Sequence, residues 1–127
     1  MPKKKNKSFP KLSEAEFEIM KIVWNESSAL TSSYILDHLT SRTWALSTVM
    51  TALGRLCEKG FLTCDRSTRT NYYSALVSNT EYLEKESRDF LDKMHQSSIA
   101  NMVTALNNSG SISDEELAEL RRILEDK

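Results

Sequence analysis

Little in this chain belongs to the apparatus of catalysis, secretion or membrane insertion. Its 127 residues include three glycines, and they form no glycine-rich loop able to cradle a phosphate. No nucleophile motif occurs, and neither of the two histidines, His38 and His95, has a local partner at catalytic or ligand spacing. An enzyme is therefore not expected, and no cofactor is implied. The two cysteines, Cys57 and Cys64, have six residues between them and no CxxC, which argues for free thiols in a reducing compartment and against a metal site. No apolar run approaches the roughly 20 residues of a membrane span. The basic start MPKKKNKSFPKLS lacks the apolar centre of a signal peptide. A cytoplasmic protein is the expectation.

What is present is enough for a real core. Apolar residues make up 39% of the chain and charged residues 28%, which excludes a disordered chain and leaves room for one domain or two small ones. A net charge of -1 conceals an asymmetry. Residues 1–76 carry 11 basic against 7 acidic side chains, and residues 77–127 carry 6 against 11. A basic first half joined to an acidic second half points to a polyanion as partner of the first alone.

The most informative stretch is WALSTVMTALGRLCEKG, residues 44–60, which reads as one helix with two unlike faces. At 100° per residue, Val49, Ala52, Leu53 and Leu56 share one arc with the spacing of a core-facing stripe. The opposite arc carries Ser47, Thr48, Thr51, Gly54, Arg55 and Glu58. A purely solvated face favours Lys, Glu and Gln, whereas Ser, Thr and Gly are neutral to poor helix formers, so something other than helix stability asks for them. Short hydroxyls and an arginine suit a helix lying on base edges in a DNA major groove. Small residues equally suit a tight contact between two helices, and this stretch alone leaves both readings open.

The flanking segments favour DNA. Ser13 and Glu16 form a capping box that opens a helix running to about Asn25, with Phe17, Met20, Val23 and Trp24 as its apolar stripe. Thr31 caps a short second helix from Ser32 to about Thr40, with Ile35, Leu36 and Leu39 inward and His38 at the surface or boundary. Residues 41–45 turn into the third helix, whose cap is Ala45 or Ser47, and Gly60 stops it as a C′ glycine. The period then changes to two, with Leu62 and Cys64 on one strand and Tyr72, Tyr73 and Leu76 on the next. The tip, residues 65–71, lacks a glycine for a tight turn and should present Arg66 and Arg69 to solvent. Short helices, a longer helix and a basic hairpin follow the order of a winged helix-turn-helix. Before it, the tail with Lys3, Lys4, Lys5 and Lys7 reads as mobile and solvated.

From Ser78 three further helices are expected. Leu83, Phe90, Leu91 and Met94 line the first, and Ile99, Met102, Val103 and Leu106 the second. A capping box at Ser113 and Glu116 opens the third, with Leu117, Leu120, Ile123 and Leu124 inward. About fifty residues cannot bury three such stripes in one thin layer, so a twofold partner is the natural source of the missing surface. His95 and the acidic residues here form no visible catalytic pairing and read as a solvated face. The expected fold is thus mostly α with a small β-hairpin wing. It divides into a basic tail (1–10), a winged-helix DNA-binding domain (11–77) and a three-helix dimerisation domain (78–127).

With these residues laid out, the chain resembles the BlaI/MecI family of penicillinase repressors over residues 12–127. The resemblance rests on LSEAEFEIMKIVW, STVMTALGRLCEKGFL, the YYSAL that ends the wing, and the closing ISDEELAELRRILEDK. It implies a homodimer on an inverted-repeat operator in double-stranded DNA, near genes for a β-lactamase or a penicillin-binding protein. It further implies a membrane sensor-transducer that binds the antibiotic, after which the repressor is cut in its C-terminal domain. Carried over by position, the DNA-binding residues are Ser47, Thr48, Met50, Thr51 and Arg55, with Arg66 and Arg69 in the wing; Met50 departs from a basic residue seen there in the family. The family's cut falls between an Asn and a Phe in the second C-terminal helix, and the matching positions here are a different pair, Ala105 and Leu106. The related copper-responsive CopY type ends in a cysteine cluster that this chain lacks. Two readings compete with the repressor: a helical protein-protein adaptor, and a repressor of the same fold with another inducer.

Overall fold

The computed structural model describes residues 9–40, 43–94 and 98–126. Lys3, Lys4, Lys5 and Lys7, part of the 41–45 turn, and His95 lie outside the described residues.

Helix α1 (Glu14–Asn25) begins at the expected capping box, with Ser13 Oγ accepting from Glu16 N at 3.1 Å and Glu16 Oε1 accepting from Ser13 N at 2.9 Å. Its buried arc is Glu16, Ile19, Met20 and Val23, while Phe17 and Trp24 are half-buried. The expected stripe was displaced because a carboxylate occupies the first core-facing position and masks the period. Glu16 tolerates burial because Lys59 Nζ donates to both of its oxygens at 2.8 Å. Burial pushes its carboxyl up, but the bonds from Lys59 and Ser13 outweigh this and hold it below the usual carboxylate range. The start of α1 is thereby pinned to the end of the third helix.

Helix α2 (Ser32–Asp37) is capped by Thr31, whose Oγ1 accepts from Tyr34 N at 3.1 Å. It stops short of Thr40 because the chain tightens into three-residue turns, His38 N to Ile35 O at 3.0 Å and Leu39 N to Leu36 O at 3.2 Å. His38 is exposed, as expected. Helix α3 (Leu46–Glu58) starts from Ala45 with no side-chain cap. Gly60, at φ +88°, closes it in a Schellman motif: Phe61 N bonds Leu56 O at 2.9 Å and Gly60 N bonds Cys57 O at 3.1 Å. Phe61, the first residue past the glycine, is fully buried and leads into the sheet.

Strands β1 (Leu62–Asp65) and β2 (Tyr72–Ala75) pair antiparallel, Leu62 opposite Ala75 and Asp65 opposite Tyr72. Leu76, expected on the second strand, lies past its last paired residue and is exposed. Leu30 and Tyr73 exchange backbone bonds of 2.9 and 2.7 Å, so the connector before α2 supplies a one-residue third edge to the sheet.

Helix α4 (Asn79–Lys93) opens on a further reciprocal pair, Ser78 N to Glu81 Oε1 at 2.9 Å and Glu81 N to Ser78 Oγ at 3.0 Å. Its second turn inserts Tyr82 among Phe9, Phe17, Trp24 and Phe61, with ring centroids 5.8 to 6.1 Å from its own. The Tyr82 hydroxyl accepts from Leu12 N at 2.9 Å, and Trp24 Nε1 donates to Val77 O at 2.8 Å. Phe9, placed by sequence in a flexible tail, is buried in the same cluster. These contacts move the limit of the first compact unit: the units divide between Lys85 and Glu86, inside α4, where composition had suggested Ser78.

The second unit holds the rest of α4 with α5 (Ile99–Asn108) and α6 (Asp114–Glu125). Ser98 caps α5 through Asn101 N at 3.0 Å, and Ser113 and Glu116 form the expected capping box on α6. A second Schellman turn at Gly110, φ +78°, ends α5. Among the described residues of this unit no side chain is fully buried.

Candidate nucleic-acid interface

Helix α3 presents its outward face cleanly because its inward one is so fully used. Val49, Leu53 and Leu56 have no exposure and Ala52 is buried. Ser47, Thr48, Met50, Thr51, Gly54, Arg55 and Glu58 are all exposed, and so is Leu46. At 100° per residue Ser47, Thr51 and Gly54 run down the middle of that face. Thr48 and Arg55 lie on one shoulder, Leu46 and Met50 on the other. All five residues expected from α3 therefore share one surface. Leu46 is the member that sequence reading missed, since an apolar residue at a helix start gives no signal of being left outside the core.

Among the described residues nothing packs against Gly54. It sits in the middle of a helix, where glycine costs about 1 kcal/mol relative to alanine. A Cβ added there would meet nothing within 4 Å, and its backbone is ordinary helix. The space above it is used by something outside the chain, or not at all.

The wing is shaped by side-chain bonds in place of a glycine turn. Asp65 Oδ1 accepts from Ser67 N at 2.9 Å, and Thr68 Oγ1 donates to Thr70 O at 2.9 Å. The Ser67 bonds hold the Asp65 carboxyl below its usual range. Arg66 and Arg69 are exposed at this tip. Burial and the neighbouring Cys64 push the Cys57 thiol up, and the charge of Arg66 draws it part of the way back. Arg55, Arg66 and Arg69 form no ion pair among the described residues. Arg55 on the shoulder of α3 and Arg66 and Arg69 at the wing tip are uncommitted guanidinium groups able to take up phosphates and base edges.

The described residues contain no group of three or more His, Cys, Asp or Glu able to hold a metal ion, and Cys57 and Cys64 are free, half-buried thiols. No helix among them is long and apolar enough to cross a membrane.

The second unit carries the other surface of interest. Leu91, Met102, Val103, Leu117 and Leu120 are half-buried, whereas Phe90, Met94, Ile99, Leu106 and Leu124 are exposed, Leu124 by 72%. Leu83, expected in the same stripe, falls in the first unit and is also exposed. Ala105 and Leu106 lie in the last turn of α5, and their carbonyls accept from Ser109 N at 3.1 Å and Ser111 N at 2.9 Å.

The family model described as "Penicillinase repressor" matches residues 12–126. The penicillinase repressor of Bacillus licheniformis is 33% identical over 120 residues, 94% of each chain. The methicillin resistance regulatory protein MecI of Mammaliicoccus sciuri is 30% identical over 122 residues, 96% of this chain and 98% of that one. Among solved structures, the solution structure of the Bacillus licheniformis BlaI monomeric form in complex with the blaP half-operator is 32% identical. It covers 59% of this chain and 92% of that chain, with a TM-score of 0.50.

Proposed function

The chain belongs to the penicillinase repressor family, and we propose that it is a homodimeric, sequence-specific transcriptional repressor, not an enzyme, that holds an inverted-repeat operator in the cytoplasm. The observation that carries this reading is the outward face of α3, short hydroxyls and a glycine with uncommitted Arg55 on its shoulder. A relative of 32% identity has been solved with a half-operator, which supports duplex DNA as the partner here. Ser47, Thr48, Met50, Thr51 and Arg55 are assigned to base edges, and Arg66 and Arg69 to phosphates, following the division between contacts that specify and contacts that position. The domain roles are a DNA-binding unit ending near Lys85 and a dimerisation unit beyond it, with the exposed apolar side chains of α4, α5 and α6 as the contact.

Release by proteolysis after β-lactam sensing through a membrane sensor-transducer is assigned to the bond between Ala105 and Leu106. That bond lies within a hydrogen-bonded helical turn, so the turn must open before a protease can reach it. Leu106 also belongs to the partner contact in this reading, so opening the turn and loosening the dimer go together.

Titration of the whole chain against an operator duplex and random duplex, over a range of salt, tests the reading. Arg55→Ala is expected to cost roughly 1 to 3 kcal/mol on the specific duplex and to relax selectivity. Arg66→Ala is expected to weaken both duplexes equally and to reduce the salt slope by about one unit. Equal losses for Arg55→Ala on both duplexes reassign it to the backbone. A chain that binds neither duplex, while its α3 face captures a protein, is an adaptor.

Gly54→Ala separates stability from function. The substitution should raise the stability of the free protein by about 0.5 to 1 kcal/mol, because an alanine relieves the backbone entropy cost of a mid-helix glycine. It should weaken operator binding at the same time, since the added methyl occupies the space of close approach to the groove. Thermal unfolding and the binding titration give the two signs; a stabilised protein with undiminished affinity would place Gly54 outside the interface.

A further inference from the structure

Two large apolar side chains stand in water on the outward surface of α3. Leu46 is 46% exposed and Met50 is 41% exposed. Neither contributes to the core of the first unit, which takes Val49, Ala52, Leu53 and Leu56 from this helix. They are spaced i, i+4, so they stand side by side on one shoulder, across the central Ser47 and Thr51 from Arg55. A helix surface that met only solvent would gain little from this pair.

Their place along the helix narrows what they meet. Both lie in its first half, Leu46 being the first helical residue, and Arg55 belongs to the last turn. In a helix-turn-helix reader the residues near the start of the recognition helix reach the base edges. The major groove offers a single apolar group to such side chains, the 5-methyl of thymine. The Cα atoms of Leu46 and Met50 are about 6 Å apart along the helix axis, against a base step of about 3.4 Å. The two side chains therefore address different base pairs.

We propose that Leu46 and Met50 are specificity residues that read thymine 5-methyl groups on nearby base pairs of the operator half-site. The inference rests on the DNA-binding reading and deepens it by naming the base chemistry. The work is then divided: Arg66 and Arg69 supply affinity for any duplex, while Arg55 on one shoulder of α3 and the methyl contacts on the other select the base sequence. Methionine, unbranched and polarisable, can follow a methyl group across small changes of groove geometry.

The test uses the whole chain and a library of random-sequence duplexes. The most enriched duplex is resynthesised with each thymine of one half-site replaced in turn by deoxyuridine, which removes the methyl and nothing else. Wild-type protein is expected to lose about fourfold in affinity at one or two of these positions, the effect of uncovering one methyl group. Met50→Ala or Leu46→Ala should bind the thymine duplex more weakly and show no further loss at the corresponding deoxyuridine. Enrichment of a duplex followed by unchanged wild-type binding at every deoxyuridine overturns this inference and leaves the repressor reading standing. So does a methyl effect that survives undiminished in both variants. Failure to enrich any duplex over random DNA overturns the repressor reading and this inference with it.

Discussion

A fragment of residues 1–85 is expected to sediment as a monomer and to bind a two-half-site operator roughly 10² to 10⁴ times more weakly than the whole chain. The magnitude comes from effective concentration. One α3 helix offers a handful of base contacts, and when a partner copy is tethered to it the second half-site is engaged within the same complex. Removal of residues 86–127 takes away Phe90, Met94, Ile99, Leu106 and Leu124, the exposed apolar side chains assigned to the partner contact, together with half-buried Met102, Val103, Leu117 and Leu120. It leaves the capping box of α1, the α3 face, the wing and the Tyr82 cluster in one piece. The fragment should therefore keep its helical circular dichroism and a weak, salt-sensitive affinity for a single half-site. Sedimentation velocity and a titration on one and two half-sites measure both expectations. A fragment that stays dimeric would move the partner contact into the first unit. A fragment that binds the full operator as tightly as the whole chain would remove dimerisation, and with it proteolytic release, from the account of repression.

The parts of this molecule that are legible in its sequence are those fixed by local rules. Capping boxes at Ser13 and Ser113 and the C′ glycine at Gly60 each satisfy backbone groups within a few residues, so they can be read without the fold. The α3 face is legible for the same reason: its core arc and its outward arc are both set by one helical period. What could not be read depends on distant partners. Glu16 looks like a surface carboxylate until Lys59, forty-three positions away, is placed against it. Leu30 becomes part of a sheet only when Tyr73 comes alongside. Phe9 sits among lysines and a proline, where composition reads as a tail, and Tyr82 starts a polar stretch where composition reads as a new domain. Each of them is buried by the other's segment. Leu46 failed in the opposite direction, since an apolar residue is assumed to be covered and nothing local says that it is not.

Tyr82→Ala should be the most damaging single substitution in the first unit. The side chain is 5% exposed and its ring packs on four other aromatic rings drawn from the N-terminal segment, α1 and the link between α3 and β1. Truncating a buried aromatic to alanine costs roughly 3 to 5 kcal/mol, the lost transfer energy plus the cavity left behind. That is a large share of the 5 to 15 kcal/mol typical of a whole domain. For a unit of this size the midpoint of thermal unfolding should fall by roughly 15 to 30 °C. Tyr82→Phe isolates the hydroxyl: the rings stay packed, but Leu12 N loses its acceptor at 2.9 Å, which should cost about 1 to 3 kcal/mol. The same reasoning ranks two truncations. A fragment ending at Ser78 lacks Tyr82 and should unfold near the temperature of Tyr82→Ala or below it, while one ending at Lys85 should unfold cooperatively at a higher temperature. Calorimetry on the two variants and two fragments decides where the DNA-binding unit ends. If Tyr82→Ala unfolds with the wild type and the Ser78 fragment matches the Lys85 fragment, the first turns of α4 are an appendage and the unit closes at Val77.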